Sequence, residues 1–249
     1  MLMHLSLGFL LVLVSSCMSS QELTVDEILD NIEKVDISSL TASVSYTSTD
    51  LKTKKRTIRT GRLLFSEDEN DKKEVAILFD TLIKGRRKKN KLKHIIISGR
   101  WLAEIDHDDK EFIKLELVAP GEKNPNPFEL DNFPFPFPIG QTKKSILSKY
   151  EAEIVEKPKE GTLSKLKGNV VGLKLIPKRK GKTESIELFY NPEIWIPVGV
   201  HTNETGSREK VGLLTNIQLD SLSKEDAKLI NIETPDPTEW SIDIRPWVD

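Results

Sequence analysis

A single cysteine, Cys17, in 249 residues excludes an intramolecular disulfide, so the fold must rest on burial and backbone hydrogen bonding. Neither sign of charge prevails. With 37 basic and 39 acidic residues the net charge is −2, which removes any whole-molecule attraction to nucleic acid. Site chemistry is scarce too. His4, His94, His107 and His201 show no HExxH spacing, and no GxSxG elbow or phosphate loop occurs. The run Asp106-His107-Asp108-Asp109 lacks the glycine and distal glutamate of a calcium loop, so it reads as a hairpin turn rather than a metal site. No catalytic residue, metal or cofactor is expected, and the protein is read as not an enzyme. What the chain does have is a hydrophobic content of 37%, enough to bury a sizeable core.

Leu5–Val14 is an apolar run too short to span a bilayer comfortably, followed by small residues, which is the build of a secretory signal over residues 1–20. Its amino-terminal flank carries no Lys or Arg. Val14-Ser15-Ser16-Cys17 resembles the bacterial lipobox, which makes Cys17 the expected lipidation site. Ordinary cleavage near Ser19 or Ser20 and an uncleaved anchor are the two other readings. Acyl chains on Cys17 would tether the protein to a membrane surface, at about 0.8 kcal/mol per buried methylene. The expected location is the periplasm or the outer membrane.

Residues 21–249 read as one domain. Thr24 and Glu27 form a capping box, and Val25, Ile28, Leu29 and Ile32 recur at helical spacing, so a helix is expected over Val25–Lys34. Alternation then predicts strands at Leu40–Thr49, Arg56–Phe65 and Glu74–Leu82. The stretch His94–Leu117 is a three-strand meander: Ile95–Ile97, a turn at Gly99, Trp101–Asp106, the acidic turn, and Glu111–Leu117. Alternating Phe and Pro through Ala119–Gly140 forbid a helix or a central strand, so that segment should lie extended against the domain. A short helix is expected at Gln141–Tyr150. Strands follow at Ala152–Val155, Val170–Ile176, Thr183–Tyr190, Trp195–Thr202 and Lys210–Leu219, with a last one at Leu229–Glu233. The fold class is mainly β with a few helices (α+β): an incomplete antiparallel β-barrel with helices packed on its concave face as a lid.

The amino-terminal helix, the meander IIISGRWLAEIDHDDKEFIKLEL and the later GLKLIPK and INIETPDP segments resemble the LolA-type outer-membrane lipoprotein carriers. Leu175-Ile176-Pro177-Lys178 matches that family's LxPK strand, and Ile232–Pro237 its closing end. The resemblance implies an open barrel that shields the acyl chains of lipoproteins or other lipids. Two departures stand beside it. Phe65–Asn70 has no arginine where the family carrier has one that holds its lid closed, and a lipid on Cys17 suits the family's membrane-bound acceptor, LolB, better than a soluble shuttle.

Phe128, Phe133, Phe135 and Phe137, with Trp101 and Ile105, are the candidates for lining or gating a lipid cavity. Ordinary packing against the sheet is the competing account of each, since aromatic side chains bury large areas for structural reasons alone. The basic run Lys84–Lys93 reads as a solvated loop or as edge protection, with anionic headgroups or an acidic partner as the functional alternative. No aromatic interleaving accompanies it, and nucleic acid is excluded as a partner. The expected function is that of an exported lipid or lipoprotein carrier. The alternative is a periplasmic or surface-anchored interaction or sensor module with the same fold and no lipid cargo.

Overall fold

Two chain crossings, one over each face of a single sheet, organise the protein. The structure is a computed structural model and describes residues 23–69, 72–128 and 139–248. After helix α1 (Val25–Glu33), the chain runs up and down through β1 (Ser39–Asp50), β2 (Lys55–Glu67), β3 (Lys73–Lys84), β4 (Arg87–Ser98), β5 (Trp101–Asp106) and β6 (Glu111–Glu116). It then crosses one face, forming α2 (Lys143–Lys149) on the way, to reach β7 (Tyr150–Val155). A second meander follows: β8 (Val171–Pro177), β9 (Thr183–Tyr190), β10 (Pro197–Glu204) and β11 (Arg208–Leu219). From β11 the chain crosses the other face, forms α3 (Lys224–Lys228), and ends in β12 (Ser241–Arg245).

The twelve strands lie in the order β12-β6-β5-β4-β3-β2-β1-β11-β10-β9-β8-β7. The two meanders meet where β1 pairs β11, and β7 and β12 remain open edges, so the barrel is not closed. Long alternating segments and tight turns explain the strands. At the β4–β5 turn Gly99 takes φ of 58°, a left-handed conformation that glycine adopts without a Cβ penalty.

Each face has its own apolar cluster. On one, Ile28, Leu29 and Ile32 of α1 and Ile146 of α2 pack onto Leu40, Val44, Leu63, Ile77, Leu175 and Leu188. The α1 trio is fully buried, and such side chains contribute about 1.5–3 kcal/mol each. Thr24 caps α1, its hydroxyl accepting from the Glu27 N–H at 3.2 Å, and Lys143 ties α2 to α1 through Asp26 (3.0 Å) and Asp30 (3.1 Å). On the opposite face Leu64, Leu78, Ile96, Ala103, Ile105 and Phe112, with Ile242 of β12, are covered by Leu222, Ile230, Ile232 and Trp240 from the second crossing.

Three expectations need correction. The basic run Lys84–Lys93 is not a loop: Gly85 and Arg86 turn the chain, and Arg87 onward is strand β4 in the sheet interior. Leu229–Glu233 is not a strand either. Its apolar residues Ile230 and Ile232 are used to cover the sheet, and Pro235 and Pro237 follow without donors for a ladder. The last strand forms later, at β12, where the edge of β6 is free. It pairs with β6 in parallel, so the sheet is not wholly antiparallel. The helix expected over Gln141–Tyr150 is shorter at its end, because Tyr150 turns extended and pairs with Pro177 as the first residue of β7.

Candidate ligand-binding face

The helix-bearing face is apolar along most of its length and polar at one end. Strand pairing builds that end. Arg59, Tyr46, Gly212, Val200 and Leu188 stand in one cross-strand row, through the pairs Arg59–Tyr46, Tyr46–Gly212, Gly212–Val200 and Val200–Leu188. Gly212 puts no side chain into this row. Arg59 lies over the Phe79 ring, its guanidinium carbon 5.9 Å from the centroid. Two residues beyond Val200, and so on the same face, is Thr202, which pairs with Ile186.

Among the described residues three polar atoms on this face are buried without a hydrogen-bond partner: Arg59 Nη1 and Thr202 Oγ1 at this end, and the Tyr190 hydroxyl at the far end of β9. Leaving such a group unsatisfied costs about 1–3 kcal/mol. Burial pushes the Tyr190 hydroxyl well above the ordinary phenol range. Tyr46 is raised in the same way, first by burial and then by the charge of Glu204, so both phenols stay protonated donors. Glu204 is itself buried and is neutralised by Lys210 and Lys182. At the Arg59–Thr202 end the chemistry on offer is therefore a neutral or cationic donor set beside an apolar surface.

The residues singled out in the sequence do not gather there. Phe128 is buried in the helix-side core, its ring 4.9 Å from that of Phe65 and its carbonyl accepting from Gln141 Nε2. Ile105 belongs to the cluster on the opposite face, under the second crossing. Trp101 shares that side by strand alternation and lies half-buried beneath the Lys114 ammonium, 4.6 Å from the ring centroid. Phe133, Phe135, Phe137 and Cys17 lie outside the described residues. Conversely, Arg59, Tyr46, Thr202 and Tyr190 carry no local motif. Only the register, which depends on which strands become neighbours, brings them onto one face.

Other polar groups are accounted for structurally. His201 is held by Glu187 at 3.2 Å and Glu209 at 3.5 Å, and hydrogen bonding to Glu187 raises its pKa despite burial. It borders a 370 Å³ cleft closed by the 158–163 loop, whose Leu163 packs against Gly199. Among the described residues no group of three or more His, Cys, Asp or Glu side chains is placed to hold a metal ion. No described helix is long and apolar enough to cross a membrane.

No protein-family model matches the chain, and no curated protein matches it in sequence. Several solved structures are similar to it in fold at low identity. An uncharacterized conserved protein from Thermus thermophilus is similar over 88% of this chain and 98% of its own, at 12% identity and a TM-score of 0.46. The Pseudomonas aeruginosa MucA/MucB complex is similar over 81% of this chain at 10% identity and a TM-score of 0.45, and the chain spans 59% of that relative's length. A LolA superfamily protein from Nitrosomonas europaea is similar over 82% of this chain and 97% of its own, at 10% identity and a TM-score of 0.32. The class the structure itself defines is a mainly β protein built on one open twelve-stranded sheet with helices laid across it.

Proposed function

We propose that the protein is an exported carrier that binds a lipid or lipoprotein on the helix-bearing face of its sheet. The observation that supports this reading is the amphiphilic make-up of that face: a long apolar surface, covered by α1 and α2, with buried donors unpartnered among the described residues at Arg59 and Thr202 towards one end. An acyl chain removed from water there gains about 25 cal/mol per Å² of apolar area, and its polar end satisfies the orphaned donors. In this reading α1, α2 and the Phe133, Phe135 and Phe137 run form the cover, and Cys17 is the site of an acyl anchor at the outer membrane. No catalytic step is involved.

The test is titration of the protein with a fluorescent fatty acid and with the matching uncharged alcohol. Saturable binding of both is expected, with the acid held about tenfold more tightly through Arg59, the scale of a charge-assisted hydrogen bond. Arg59→Gln should abolish that preference and leave the binding of the alcohol. Absence of saturable binding to either probe overturns the carrier reading.

A second reading draws on the open edge at β7. Its Ile154 is 51% exposed on a strand paired on one side only, which suits addition of an extended peptide as a thirteenth strand. Co-purification of a protein partner, lost on Ile154→Asp with the fatty-acid titration unchanged, favours that module.

A further inference from the structure

The turns β1–β2 and β3–β4 fall at the same end of the sheet and are neighbours, because Thr57 of β2 pairs with Lys84 of β3. Residues 52–56 carry four cations and residues 84–89 carry five, all of them exposed. Among the described residues none of these nine has a carboxylate within ion-pair distance. Slightly deeper in the same strand the arrangement is the reverse: Lys91 is paired with Asp106 and Asp109, and Lys93 with Glu104. Beyond the β10–β11 turn, residues 178–182 of the β8–β9 turn add four more cations at that end, of which Lys182 reaches Glu204. Of the acidic β5–β6 turn below this end, Asp106 and Asp109 are taken up by Lys91, so the tips of the two basic turns keep their charge. The net charge of −2 thus conceals a local concentration of positive charge.

Neither structural account of this charge holds. Edge protection does not apply, since β1 to β4 are interior strands. Fold stability does not call for it either: Lys84 faces Arg87 directly across the hairpin, an arrangement of like charges that opposes pairing. We propose that the two turns form a docking surface for the anionic headgroups of a lipid bilayer. Leu51, 48% exposed at the start of the β1–β2 turn, adds an apolar side chain among the cations that can enter the headgroup layer. Residues 51–56 and 84–89 contain no aromatic side chain on which a base could stack, which argues against nucleic acid. The surface works whether or not the protein carries an acyl chain.

The experiment is co-sedimentation of the full chain, with Cys17→Ser to remove any acyl tether, with vesicles of phosphatidylcholine alone and of an equal mixture with phosphatidylglycerol. The quantity read is the increase in partitioning that the anionic lipid causes. Each basic side chain near such a surface contributes about fivefold, so Arg86→Gln, Arg87→Gln, Lys88→Gln and Lys89→Gln together should remove about a hundredfold or more of it. Neutralising Lys54, Lys55 and Arg56 should reduce it similarly, and raised salt should suppress it. Lys123→Gln, beside the β2–β3 turn at the opposite end of the sheet, should leave it unchanged. All these residues are exposed, so circular dichroism should be unaltered. The proposal is overturned if phosphatidylglycerol causes no increase, if the increase survives neutralisation of both turns, or if poly-glutamate or single-stranded DNA binds the turns while vesicles do not.

Discussion

At the scale of single residues, geometry decides roles that residue type leaves open. Gly61 in β2 is the clearest case. A Cβ there would stand 2.0 Å from the Leu78 carbonyl oxygen on β3, where the pairing register shifts beside Gly61. Backbone cannot move away as a flexible side chain would, so Gly61→Ala should destabilise the protein by about 2–4 kcal/mol, read as a lower urea midpoint at unchanged slope. A neutral outcome would mean that β2 and β3 are more loosely paired at that shift. Arg59 makes the complementary point. In sequence it is one more cation in a basic strand, and its importance comes from Tyr46 opposite and Phe79 beneath.

At the scale of elements, the two crossings do different work. The first carries α2 over the apolar face and joins it to α1 through Lys143, a light cover of two short helices. The second is pinned at its start, where Asp220 Oδ1 accepts from the Ser38 N–H at 3.0 Å and the Ser38 hydroxyl at 2.8 Å. It is then seated by Ile230, which is 1% exposed. Ile230→Ala should cost about 2–5 kcal/mol, with amide exchange rising in β5, β6 and β12 before β8 and β9. Uniform exchange across the sheet would show that the crossing is not a separate layer. Alternation made most strands legible to within a few residues, and the Thr24–Glu27 capping box located α1. Residues 229–245 were not legible. Local pattern favours Leu229–Glu233 as a strand, but those residues cover the sheet, and the edge of β6 is taken by Ser241–Arg245.

At the scale of the whole molecule, stability carries two histidine terms of opposite sign. Burial, reinforced by the neighbouring His107 at 3.1 Å, depresses His94 from 6.5 to about 4. The unfolded chain therefore takes up a proton before the folded one does, and stability falls as pH drops from about 6.5 towards 4. A shift of that size corresponds to about 3 kcal/mol, reduced to about 1–2 kcal/mol by the partial exposure of the imidazole. His201 runs the other way. Its pKa is raised by Glu187, so its contribution is complete below 6.5 and is lost as pH rises through the folded value. Urea unfolding should accordingly show a maximum at roughly pH 6–7. His94→Gln should flatten the acid limb, and His201→Gln the alkaline one. An acid limb unchanged in His94→Gln would assign that loss to the carboxylates. Because the Trp240 ring stands edge-on to His107, with centroids 5.6 Å apart, the acid transition should quench or shift tryptophan emission as the second crossing loosens.

Composition and period alone determined that this chain makes a β-rich fold without disulfides, that a capped amphipathic helix precedes the first meander, and that site motifs are missing from it. Those properties are local: a two-residue alternation or a capping box is complete within a few positions. Tertiary structure decided which face each strand turned inward, and so placed Ile105 on the face opposite α1 and α2 and Arg59 on the face that bears them. It also decided that turns far apart in sequence would share one end of the sheet. The reason is physical: the side a residue faces, and the company its charge keeps, are set by hydrogen-bond register between strands up to about 180 residues apart, such as β1 and β11, where Leu40 faces Leu219.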